Sequence, residues 1–176
     1  MMKPFKWSLF RSDCDDVRHV RMPRTTEGTV FEVVGLFLLI ALWVVAVWMY
    51  RHAPETIPTH FDATGTPNNY GSRLMLIWVA VGGTLAMLLM FVCAYFPSAT
   101  VNLPVKLNTW PRRMMASRLV RILALLMGML AITIILKIGF PEDVLPNWLF
   151  FAFVGLIVVM PLVFVLIIKN YNTPSS

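Results

Sequence analysis

The chain has 176 residues, 58% of them apolar or aromatic and only 14% charged, where an ordinary soluble domain runs at about 45–50% and 25%. The apolar residues gather into four blocks, 30–50, 74–96, 119–138 and 148–168, each about as long as the 20 residues that cross a bilayer. The segments between them are too short to bury cores of their own, so a separate soluble catalytic or nucleic-acid-binding domain is excluded, and the net charge of +6 needs another explanation.

Its distribution supplies one. Lys3, Lys6, Arg11, Arg18, Arg21 and Arg24 precede the first block; Lys106, Arg112, Arg113, Arg118 and Arg121 fall between or just inside the second and third; Lys169 follows the fourth. Only Arg51, Arg73 and Lys137 lie at the other block ends. This alternation is the positive-inside pattern. It predicts four membrane-spanning helices with both termini cytoplasmic, and it accounts for the basic character without nucleic acid as a partner.

Residues 1–29 read as a basic cytoplasmic arm, in which Phe5, Trp7, Leu9 and Phe10 beside Lys3, Lys6 and Arg11 suit an anionic leaflet. Cys14 and His19 among Asp13, Asp15 and Asp16 match no zinc spacing, and Cys14 and Cys93 are expected at different depths, so neither a metal nor a disulfide is expected. The first span is longer than a signal-peptide core and is expected to be retained. Glu32, Arg121 and Lys137 lie near span ends, where interfacial anchoring and snorkelling explain them. Trp43, Trp48, Tyr50, Trp78, Tyr95 and Trp148 are expected to form aromatic belts.

The loop 54–73 is the densest segment. Pro54, Pro58 and Pro67 fix φ at three places, which marks a shaped loop rather than a linker. Asp62 to Gly65 has the composition of one turn, and Asn68 with Asn69 that of a second. Ser72 is placed to cap the second helix, and Arg73 to mark the headgroup boundary. Ile57 and Phe61 are expected to face bilayer or bundle, with Thr59, His60 and Asp62 toward water. His60 has three readings: a metal ligand, a structural hydrogen bond to a loop carbonyl or to Asp62, and a partner-contacting or pH-sensing group.

Farther on, Gly82, Gly83 and Ala86 form a small-residue face for close helix packing. Thr84 and Thr133 are expected to bond their own helix backbones, and Pro161 to kink the fourth helix. Ala53-Pro54-Glu55 and Phe140-Pro141-Glu142 echo each other weakly, as chance in proline-rich loops allows. Residues 169–176 read as a cytoplasmic tail. The metalloprotease, nucleophile-elbow and phosphate-loop motifs are missing, as are paired midspan carboxylates, so an enzyme is not expected. No cofactor is expected either.

The run Ile57-Pro58-Thr59-His60-Phe61-Asp62, followed by Gly65, Pro67, Tyr70-Gly71-Ser72 and the basic Arg73 before an apolar helix, resembles the signature of a bacterial membrane domain of unknown function. That domain also forms the N-terminal part of SdpI-type bacteriocin-immunity proteins. The family pattern usually ends in Lys where this chain has Arg73, and known SdpI-type proteins are longer, with additional spans. The resemblance implies a multi-pass protein of the bacterial cytoplasmic (inner) membrane, protecting against or signalling a secreted peptide, with a cytoplasmic regulator as a further partner.

The expected architecture is therefore an all-α membrane protein: four transmembrane helices in a bundle over 30–168, with an ordered extracytoplasmic loop between helices 1 and 2. The expected role is interaction with an extracytoplasmic peptide through the loop. The alternatives are a small homo-oligomeric transporter and a structural subunit of a membrane complex, and the sequence leaves the oligomeric state open.

Overall fold

A computed structural model describes residues 21–62, 66–100, 107, 109–140 and 146–170. The elements in order are α1 (Thr26–His52), β1 (Thr56–Phe61), β2 (Pro67–Ser72), α2 (Met75–Cys93), a single turn α3 (Pro97–Thr100), α4 (Trp110–Gly139) and α5 (Asn147–Asn170). The protein is an α-helical membrane protein in which α1, α2, α4 and α5 are each long and apolar enough to cross a membrane. Cys14, His19, the apolar residues of the arm, Gly65 and the loop after Phe140 lie outside the described residues.

Two helices begin well before their apolar blocks, for local reasons. Thr25 is extended (φ −114°, ψ 155°), and its Oγ1 accepts the Gly28 N–H at 3.0 Å, while Glu27 complements the positive helix end. In α4, Pro111 sits in the first turn, where its missing N–H costs nothing. The arginines that follow are good helix formers, so thirty residues run on as one helix. At 1.5 Å per residue that is about 45 Å, against roughly 30 Å of hydrocarbon.

The helices do not contribute equally. α4 lies at the centre, packed against α1, α2 and α5, while α1 and α2 also pack on each other. In its apolar window α4 is 44% buried, whereas α5, which packs mainly on α4, is 6% buried. The architecture is thus a three-helix core with a fourth helix laid against the outside of α4. α5 continues as helix through Pro161.

The core is built where small residues let backbones approach. Leu76, Ala80, Gly83 and Met87 form the buried stripe of α2, at helical spacing. A Cβ on Gly83 would lie 2.7 Å from the Ala131 Cβ of α4, and one on Gly35 would lie 2.6 Å from the Phe91 ring. Gly82 departs from the expectation that it packs: a Cβ there would meet nothing within 4 Å, and the residue is exposed. Successive helical residues point about 100° apart, so Gly82 and Gly83 cannot share one contact. Ala86 is half-buried.

Several polar groups inside the core are matched, although the buried Arg121 Nε has no hydrogen-bond partner among the described residues. Thr84 Oγ1 donates to the Ala80 carbonyl at 2.8 Å and accepts from Trp43 Nε1 at 3.0 Å, which ties α1 to α2. Trp43 is therefore a half-buried bridging residue rather than a member of an interfacial belt. Thr133 Oγ1 donates to Met129 O at 2.9 Å within α4. At the end of the core where α1 begins, Ser117 Oγ donates to Ala94 O at 2.7 Å, and Arg118 pairs with Glu27 at 2.6 Å. Tyr95 hydroxyl donates to Glu32, and Arg21 and Arg121 lie over the Tyr95 ring at 5.3 and 5.4 Å. Arg121 does not snorkel. It is 4% exposed, because the aromatic face accepts its guanidinium inside the helix junction.

Candidate functional site

The connection between α1 and α2 is a β-hairpin at the other end of the core. β1 and β2 pair antiparallel, with Thr56 opposite Ser72, Ile57 opposite Gly71 and Pro58 opposite Tyr70. Farther along, His60 faces Asn69 and Phe61 faces Pro67, so Thr59 and Asn68 are passed over on their respective strands. Each is an extra residue that bends the ribbon. Asn68 and Asn69 thus belong to β2 and do not form the second turn expected from their composition. The strand signal in 56–61 is the β-branched content of Thr56, Ile57 and Thr59, which Pro58 disguises.

The hairpin is seated by its apolar residues. Ile57 is 1% exposed and joins Ala53, Met49, Leu76, Ile135 and Ile138 in the main core, with Phe61 packed beside them. Pro58 is also buried, Thr59 half-buried, and Pro54 exposed at the exit of α1. Gly71 opposes a crowded point: a Cβ there would stand 2.9 Å from Thr59 Cγ2. The tip is closed by the Asp62 amide donating to Thr66 O, and the Thr66 amide to Asp62 Oδ1, both at 2.9 Å.

The outward face is polar. His60, Asp62, Asn68, Asn69 and Ser72 are exposed, as is Tyr70 at 59%. His60 Nδ1 lies 2.5 Å from Asn68 Oδ1. Since that amide oxygen only accepts, the ring nitrogen donates, and the partner is neither Asp62 nor a loop carbonyl. His52 Nδ1 bonds Trp48 O at 2.7 Å, and its ring stacks on Trp48 at 4.8 Å. Among the described residues, no three His, Cys, Asp or Glu side chains group as metal ligands would.

The return into the membrane is also specific. Ser72 Oγ accepts the Leu74 N–H at 3.3 Å, one turn ahead of the helix proper; Leu74 itself is the residue before α2, without a side-chain cap. Ser72 therefore shapes the lead-in rather than capping the helix. The Arg73 amide donates to Glu55 O at 3.0 Å, and its guanidinium lies over the Tyr50 ring at 5.1 Å. Tyr50, Glu55, Thr56, Gly71, Ser72 and Arg73 enclose an open hollow of about 570 Å³. The sequence reads Tyr50 as a belt residue and Glu55 as part of a Pro-Glu loop exit; their place beside Arg73 comes from the fold, which brings the two ends of the hairpin together.

This α1–hairpin–α2 unit contains the stretch that matches a known family. Residues 37–85 match the family described as a domain of unknown function (DUF1648). The matched stretch runs from the middle of α1, through the whole hairpin, to the Gly83 contact of α2. An uncharacterized protein of Archaeoglobus fulgidus is 38% identical over 55 residues, covering 31% of this chain. The chain spans 30% of that protein's length. No solved structure matches.

Proposed function

We propose that this chain is a non-enzymatic, SdpI-like membrane interaction protein whose hairpin contacts a peptide outside the cell, in an immunity or signalling role. In this reading the chain lies in a bacterial cytoplasmic membrane with both termini inside, as its distribution of Lys and Arg argues. One observation carries the proposal. The hairpin is held to the core by Ile57 and Phe61, yet it turns His60, Asn68, Asn69 and Tyr70 outward. A simple connection between antiparallel helices needs only about 2–8 residues, and a longer one held in a single shape is suited to recognition. A rigid surface loses little entropy when a partner binds. The basic inner end carrying the half-buried Arg112 and the exposed Arg118 is the proposed contact for a cytoplasmic regulator.

The test is a strain lacking the gene, complemented with native or altered chains and challenged with secreted antimicrobial peptides of competing bacteria. Replacing residues 59–70 by a Gly-Ser sequence of equal length keeps Ile57 and Arg73. That variant should insert normally and lose protection. Full protection by it would reduce the hairpin to a connector and defeat the proposal.

A further inference from the structure

Between α1 and α2, toward the end where α1 begins, lies a hollow of about 220 Å³. Gly35 and Met87 contribute to its wall with Phe91, and Leu36 and Leu88 beside it are 56% and 51% exposed, so it opens to the outside of the bundle rather than into the core. At one end stands a single charged group, the Glu32 carboxylate. The hollow is otherwise apolar.

Glu32 is unusual in its partners. One turn earlier, Glu27 has Arg118 at 2.6 Å, but among the described residues Glu32 makes no ion pair. Its partner there is the Tyr95 hydroxyl. The nearby cations lie over the ring of that tyrosine, with Arg121 buried and Arg21 exposed. A carboxylate near the end of a membrane helix, without a protein cation and directly above a hydrocarbon-sized hollow, is complementary to an amphiphile with a cationic head.

We propose that this hollow is a binding site for an ethanolamine phospholipid. The acyl chain lies along Leu36 and Leu88, the ammonium donates hydrogen bonds to Glu32, and the phosphate faces the exposed Arg21. Tyr95 fixes both halves of this zwitterion-matching pair, holding the carboxylate through its hydroxyl and the guanidinium on its ring face. A choline headgroup carries the same charges but has no N–H to donate. A glycerol headgroup satisfies Arg21 alone and sets a phosphate anion beside the carboxylate.

The test uses the full-length chain, purified in detergent and delipidated. Ethanolamine, choline and glycerol phospholipids of identical acyl composition are added, and binding is read by native mass spectrometry and by thermal stability. The ethanolamine lipid should be retained about tenfold more tightly than the choline lipid, the factor that roughly 1.4 kcal/mol represents. Glu32→Gln should abolish that preference while leaving the smaller response to choline lipid. Leu88→Trp, which fills the hollow and spares the carboxylate, should weaken retention of ethanolamine lipid. Equal retention of ethanolamine and choline lipids, preference for the glycerol lipid, or an undiminished preference in Glu32→Gln would each overturn the proposal. So would a simple alkylammonium that binds through Glu32 when the ethanolamine lipid does not.

Discussion

Gly83 and Gly82 are neighbours with opposite consequences. A leucine at Gly83 must displace Ala131, where the Cβ alone already comes to 2.7 Å. Gly83→Leu should therefore lower stability by about 1–3 kcal/mol, read as a fall in thermal midpoint in detergent. Gly82→Leu should leave the midpoint of the monomer unchanged, because nothing lies within 4 Å. Equal effects would show that the stripe through Leu76, Ala80, Gly83 and Met87 is misplaced. Ile57 tests the seat of the hairpin in the same way. Ile57→Ala should cost about 2 kcal/mol, near the low end for truncating a buried aliphatic residue, and should raise proteolysis within 59–70. The sequence showed which residue types would be small, apolar or capping, but not the rotation of α2 that separates Gly83 from Gly82. Neither could it show that Glu32 meets Tyr95 across 63 residues of chain, or that Arg121 lies inward. Those depend on which helices are neighbours.

At the level of elements, the four apolar stretches were legible because a helix in lipid must be continuous and about twenty residues long. Their ends were less so. α1 begins at Thr26 because Thr25 caps it, a polar signal outside the apolar block. Thr25→Ala should destabilise the first turn by about 1 kcal/mol, seen as faster amide exchange at Gly28 and Thr29 with little change deeper in α1. The hairpin was legible as a shaped loop but not as strands, because Pro58 and Pro67 interrupt the usual alternation. Their lack of N–H suits a ribbon with two free edges, where unpaired donors would otherwise invite another strand. Thr59 and Asn68, passed over on opposite strands, leave the overall register intact while bending the ribbon. Ile57 and His60, three residues apart, fall on opposite faces of the strand, Ile57 in the core and His60 outside.

For the molecule as a whole, topology is the prediction with the cleanest answer. In a background without Cys14 and Cys93, Asn68→Cys should react with a membrane-impermeant thiol reagent added to intact cells. A cysteine replacing Ser8 should react only after the membrane is opened. The reverse pattern would invert the orientation drawn from the lysines and arginines. The separation of α5 from the three-helix core was not legible, since its apolar composition equals or exceeds that of the others, with a mean hydropathy of 3.1 against 2.4 to 2.7. Hydropathy reports how willingly a segment enters lipid, not which neighbours it finds there.

The central position of α4 has a consequence for how the chain is made. α1 and α2 are synthesised first, yet each packs extensively on a helix that begins only at Trp110. Until α4 leaves the ribosome, the stripe of Ala80 and Gly83 has no Ala131 to meet, and Ile57 has no Ile135 or Ile138 above it. The hairpin is therefore made long before it can be seated. During this interval the small-residue stripe of α2 and the seat of the hairpin both lack their partner, and the core closes only on the arrival of a single helix.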